Sequence, residues 1–154
     1  MTEAMSVAIE EANQGIDAHE GGPFGAVIVK DGVIIGRGHN RVIGKKDPTA
    51  HAEMEAIRDA AATLGDFDLS GAELFTTCAP CPMCLGAILW ARLDKVHYCL
   101  LPEDVAAIGF DDVAFHQAMA DKAFLEKYLL QDDAQRNECL KMLDNYCQSE
   151  HTEY

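Results

Sequence analysis

The sequence lacks any apolar run of the ~18 residues that a membrane-spanning helix needs. Its beginning, MTEAMSVAIEEANQG, has neither the basic segment nor the apolar stretch of a secretory signal. Cations are scarce: 12 Lys and Arg stand against 26 Asp and Glu, for a net charge of −14. The single basic cluster, RVIGKK at 41–46, is small. Proteins that grip nucleic acid or anionic membrane carry basic patches, so neither partner is expected. A small neutral ligand is largely indifferent to such a field. No internal repeat, low-complexity tract or linker breaks the chain. The expectation is a soluble cytoplasmic protein whose thiols stay reduced. Its six cysteines are then no disulfide framework, and 154 residues suffice for one substantial core without staples.

What is present alternates. Residues 2–18 place Met5, Ala8, Ile9, Ala12 and Ile16 at helical spacing, which predicts a helix with that face inward. FGAVIVK reads as a buried strand, Asp31-Gly32 as a hairpin turn and VIIGRGH as the returning strand. A polar loop is expected up to Thr49. AHAEMEAIRDAAATLG predicts a helix stopped by Gly65. ELFTT is a short strand, Pro80 and Pro82 suit the first turn of a helix through Arg92, and KVHYCL is another strand. Beyond Pro102 the pattern is helical, over 112–130 and 134–147. The alternation predicts an α/β fold with helices on both faces of a sheet. Its first two strands should be antiparallel, and the later ones, joined by helices, parallel.

The chemistry sits in TTCAPCPMCLGAILWAR, residues 76–92. Cys81 and Cys84, three apart at a helix start, present both sulfurs on one side. The positive helix end favours thiolate, the metal-binding form. Alone, the pair is either a redox dithiol or half a metal site. Upstream, His51 and Glu53 stand at the predicted start of another helix. His51 is a third ligand candidate, and Glu53 an acid held off the metal as proton carrier. Three protein ligands leave one zinc position open, as catalytic sites require. His51-Ala52-Glu53 with Pro80-Cys81-Pro82-Met83-Cys84 matches the H-x-E…P-C-x-x-C signature of zinc deaminases. The alternative adds Cys78 to close a structural site of three cysteines and one histidine, leaving Glu53 solvated. Cys78 is expected to face the core instead, and Cys99, Cys139 and Cys147 have no ligand spacing.

With GGPFGAVIVKDG at 21–32, Asn40, DPTAHAE at 47–53, PCPMCLGAI at 80–88, WAR at 90–92, GFDD at 109–112 and the terminal Glu153-Tyr154, the chain resembles the cytidine deaminase-like superfamily, in its guanine deaminase branch. The resemblance implies one zinc-dependent deaminase domain over 1–154. It implies a three-layer α/β/α fold with a central mixed five-stranded sheet. One Zn2+ per chain would be held by His51, Cys81 and Cys84, with Glu53 and Asp112 catalytic. Phe24 would stack on the base, Asn40 would hydrogen-bond its edge, and the Ala52 backbone would contact its amide. Tyr154 would close the site of the partner in a homodimer, with C-terminal helices of about 122–154 exchanged. Trp90 is expected in the core rather than on the base. The implied reaction is hydrolysis of a free nucleobase, guanine to xanthine plus ammonia. A cytosine, guanosine or cytidine deaminase is the alternative in the same chemistry, and a structural-zinc interaction module the alternative outside it. Ala79 stands where the purine branch usually has Glu.

Overall fold

The computed structural model describes residues 2–110, 112–131, 133–150 and 152. By internal contacts the chain divides into two compact units, residues 1–116 and 117–154. The first unit begins with helix α1, Thr2–Asp17, followed by strands β1, Gly25–Lys30, and β2, Val33–His39. Asp31 and Gly32 between them have φ of 51° and 79°. Positive φ at both central residues is the turn whose twist suits a two-residue hairpin. A short helix α2, Val42–Lys45, precedes α3, Ala52–Leu64. Gly65 ends α3 in the left-handed conformation at φ 68°. Strand β3, Ala72–Cys78, leads to helix α4, Pro82–Trp90, strand β4, Lys95–Leu100, and helix α5, Pro102–Ala106.

The strands form one open mixed sheet in the order β2-β1-β3-β4. β1 is antiparallel to both β2 and β3, so β2 and β3 run the same way, and β3 is parallel to β4. Both the hairpin and the parallel helical crossovers follow the sequence pattern. The sheet has four strands among the described residues, not five. After β4, Pro102 opens α5 and the chain continues as helices α6, Val113–Ala120, α7, Lys122–Tyr128, and α8, Arg136–Gln148. A proline at a helix start lacks the N–H that strand pairing needs. The helical period beyond it supplies no alternation for a further strand.

Alternate residues of β1 serve opposite faces. Ala26 and Ile28 pack with Ala52, Ala56 and Ala60 of α3 and Ile88 of α4. Val27 packs with Phe75 and with Ala4 and Ala8 of α1. The inward apolar stripe of α1 is therefore made of small residues, Ala4, Ala8 and Ala12, with Glu11 buried beside it, and Ile9 and Ile16 are 47% and 43% exposed rather than inward. The reason lies in the strand beneath: a Cβ on Gly25 would sit 2.0 Å from the Ala8 carbonyl oxygen. Helix and strand meet backbone to backbone, which leaves no room for isoleucine. Trp90 is likewise 66% exposed and not in the core. Cys84 and Ile88 are the buried positions of α4, and Trp90 lies two residues past Ile88, on the other side of the helix.

The same closeness brings α3 onto β2. A Cβ at Gly36 would meet the Ala56 carbonyl oxygen at 2.4 Å and the Ala60 Cβ at 2.7 Å. Gly36→Ala is thus expected to destabilise the fold by roughly 1–3 kcal/mol, because the obstacle is backbone and cannot rotate away. Urea unfolding of both proteins checks this. An unchanged midpoint would mean that α3 does not press on β2.

In the second unit α7 is capped by Asp121, whose carboxylate accepts from Ala123 N and Phe124 N. That cap breaks the predicted 112–130 helix into α6 and α7. None of this unit's described residues is buried, and Leu140, Met142, Leu143 and Tyr146 of α8 are exposed.

Candidate active site

Two helix N-termini converge at the carboxyl end of β3. His51 is the residue before α3, in extended conformation, and Cys81 holds the same position before α4, with Pro82 at the first helical place. Each helix end directs its unpaired N–H groups and positive dipole toward one point. His51 Nδ1 lies 3.7 Å from Cys81 Sγ and 3.6 Å from Cys84 Sγ. All three ligand atoms fall within 4.8 Å of one another. Zn–N bonds of ~2.05 Å and Zn–S bonds of ~2.3 Å at a tetrahedral angle put N and S about 3.6 Å apart. The donor set thus fits a zinc ion in both chemistry and spacing. Cys78 is not part of the group. It is buried at the end of β3, and burial raises its thiol to about 11, which disfavours the thiolate a ligand must be. It lines the cleft described below as well as facing inward.

The sulfurs share a proton unequally. The Cys84 thiol and His51 beside it hold Cys81 down at about 4, while the same contact and burial push Cys84 up. The interaction with Cys81 raises His51. Glu53, in the first turn of α3, is only 6% exposed, and burial raises its carboxyl above the usual range. Its Oε2 accepts from Cys84 Sγ at 3.5 Å, and its Oε1 faces the Thr76 hydroxyl of β3 at 3.4 Å. Ala52, between His51 and Glu53, is fully buried, and its carbonyl lies against Gly38 of β2.

Above this group opens a cleft of about 380 Å³ within the first unit. His51, Glu53, Phe24, Asn40, Phe110 and Asp112 line it. Phe24 and Phe110 meet edge to face, centroids 5.1 Å apart. Asn40 is buried, and its Oδ1 accepts from Gly22 N and Val42 N, each at 3.2 Å. Two backbone donors on one atom require that atom to be oxygen, so the amide orientation is set. Asp112 Oδ1 is buried without a hydrogen-bond partner among the described residues, and its Oδ2 lies 3.9 Å from His116 Nε2. An orphaned carboxylate oxygen in a cleft is costly unless a ligand donor meets it.

One cleft therefore gathers His51, Cys81, Glu53, Phe24, Asn40 and Asp112, and the buried Cys84 completes the metal-fitting group behind it. Tyr154 lies outside the described residues. Sequence reasoning missed Thr76 and Phe110. Thr76 had a weak signal, one of two adjacent hydroxyls, Thr76 and Thr77, between Phe75 and Cys78 at the end of β3. Phe110 had none beyond its place in GFDD.

Residues 1–100 match the family model for the cytidine and deoxycytidylate deaminase zinc-binding region. The chain belongs to this zinc-binding deaminase family. A guanine deaminase from Bacillus subtilis is 55% identical over 105 residues, covering 68% of this chain and 67% of its own. The crystal structure of guanine deaminase from Bacillus subtilis superposes with a TM-score of 0.89 at 40% identity, over 99% of this chain and 98% of that one. A tRNA-specific adenosine deaminase from Aquifex aeolicus is 45% identical over 97 residues, 63% of this chain and 64% of its own. The deaminase family's metal is zinc, and among the described residues His51, Cys81 and Cys84 form a group that fits it.

Proposed function

We propose that this deaminase hydrolyses free guanine to xanthine and ammonia, and that His51, Cys81 and Cys84 hold its zinc. The observation that carries the reading is the Glu53 carboxyl, buried beside the ligand sulfurs yet outside the ligand set, at the floor of a cleft lined by Phe24 and Phe110. Zinc, when bound there, brings the pKa of a water to ~7 and acts as a Lewis acid. Glu53 takes one proton from the attacking water and gives it to a ring nitrogen, then carries the second, from the hydroxyl added to the base, to the departing amine, which leaves as ammonia as the carbonyl forms. The desolvated pocket keeps each proton between carboxyl and substrate. Asp112 Oδ1, with no partner among the described residues, accepts from a substrate N–H and assists the same transfer. The Asn40 Oδ1 is occupied by backbone donors, so its Nδ2 faces an acceptor on the base edge. Phe24 supplies the face on which the planar base stacks, and the Ala52 backbone contacts its amide.

The whole chain, 1–154, works as a homodimer in this reading. Segment 122–154, with the exposed Leu140, Met142, Leu143 and Tyr146, packs across the interface, and Tyr154 closes the partner's site. An exposed apolar face of this kind marks an interaction surface. The net charge of −14 speaks for a free base rather than a nucleic acid. No helix among the described residues is long and apolar enough to cross a membrane, which is consistent with a cytoplasmic place.

The test is ammonia release from guanine, guanosine, adenine, cytosine and cytidine. Guanine is expected to lead in kcat/KM by at least ~10-fold, about 1.4 kcal/mol of differential transition-state binding. A faster cytosine or cytidine reaction would move the substrate to the pyrimidine class. Chelator-resistant zinc with no ammonia from any of the five would make the site structural.

A further inference from the structure

A second polar cluster lies behind the base-binding edge of the cleft. His39 and Arg41 flank Asn40 in the chain, and both reach one carboxylate, that of Glu20. His39 Nε2 is 2.6 Å from Glu20 Oε2, Arg41 Nε donates to the same oxygen at 3.0 Å, and Arg41 Nη2 donates to Oε1 at 2.9 Å. The Glu20 carbonyl takes two further donors, Ile43 N at 3.0 Å and Gly44 N at 2.9 Å. The Arg41 fork and His39 hold the Glu20 carboxyl down at about 2. On its other flank His39 Nδ1 lies 3.6 Å from Glu11 Oε2. Residue 20 therefore fastens the segment 39–44 from both its side chain and its backbone.

The fastened parts are those that shape the edge of the cleft. The two residues after Glu20 are Gly21 and Gly22, and Gly22 N is one of the donors that fix Asn40 Oδ1. A Cβ on Gly21 would stand 2.0 Å from that same oxygen. The other donor, Val42 N, lies between Arg41 and Ile43, both bound to Glu20. Asn40 N itself donates to Phe24 O at 2.9 Å. The amide of Asn40 is thus set by backbone groups on two segments, which Glu20 ties together alongside the Asn40–Phe24 hydrogen bond and the β1–β2 pairing. Glu20 takes no place in either apolar core cluster.

We propose that Glu20 is a positioning residue for substrate recognition: by clamping His39 and Arg41 it holds the Asn40 amide with its N–H donors toward the base. The proposal rests on the reading of Asn40 as the base-edge contact. A hydrogen bond misplaced by a fraction of an ångström loses most of its strength, and its loss is felt in substrate binding before chemistry.

The test is a double-mutant cycle on the zinc-loaded full chain with guanine as substrate. Glu20→Gln is expected to raise KM about tenfold with kcat within about threefold, at unchanged zinc content. In the Asn40→Ala background the same change is expected to alter kcat/KM by less than about twofold, because neighbours acting as one unit are not additive. Equal losses in both backgrounds, in an enzyme whose parent turns over guanine, would overturn the role of Glu20 alone. So would an unchanged KM. A parent with no guanine turnover would instead overturn the function on which the proposal rests. Should Glu20→Gln fail to fold, Arg41→Lys serves in its place, since it keeps the charge and removes the two-pronged fork.

Discussion

Glu53→Gln is expected to lower guanine turnover by on the order of 10²–10⁴-fold, the range general acid–base catalysis supplies. Glutamine has the same shape and keeps the contact with the Thr76 hydroxyl, yet its amide cannot take up and return a proton. The side chain is 6% exposed and outside the His51, Cys81 and Cys84 group. Bound zinc should therefore stay at one per chain, and the loss should fall on kcat with little change in KM. Stopped-time ammonia release together with metal analysis reads both quantities. A variant with full activity would remove Glu53 from the proton path. A variant that lost its zinc would mean that the carboxyl is a ligand after all.

Cys81→Ala is expected to take zinc and activity together. Cys81 is a proposed ligand, and the Cys84 thiol and His51 beside it hold its thiol down at about 4, which favours the thiolate that coordinates. Without it, His51 and Cys84 are left as a two-donor set, and catalytic zinc sites keep three protein ligands. The lowering of the water pKa from 15.7 to ~7 goes with the metal, so turnover should fall at least as far as in Glu53→Gln. Stability should fall as well, because metal binding is coupled to the folded state. Atomic absorption after dialysis and a thermal melt check the two parts. A full equivalent of zinc in the variant would reject Cys81 as a ligand. Chelation of the parent protein should reproduce the variant's loss, and added Zn2+ should restore the parent but not the variant.

The metal group was legible in the sequence because its residue types are chemically narrow and its spacing is local. Thiolates three apart after a proline, and an imidazole two before an acid, have few other uses. The hairpin was legible because Asp31-Gly32 suits a type I′ turn, with positive φ at both residues, one of the two turns that join such strands tightly. Ile9, Ile16 and Trp90 were misplaced for two reasons. Helical period shows that a face is buried, but not how near the neighbouring backbone stands. At Gly25 that distance admits only alanine, and at the end of α4 the inward positions are already taken. The helix α2, of 4 residues, is too short for any period to show. The expected fifth strand came from resemblance alone, against a sequence whose own pattern offered strands only as far as KVHYCL.

From the sequence alone came the donor atoms, the acid beside them and the alternation of strands and helices, since each is set by neighbours a few residues away. Tertiary structure decided which cysteine stays out of the metal group, which oxygen of Asp112 lacks a partner and what holds Asn40. These depend on contacts such as Glu20 to Arg41 or Thr76 to Glu53, made between residues 21 and 23 positions apart. Separations of that size have no local signature; only the packing of α3 and the loop before β1 against the sheet brings them within reach.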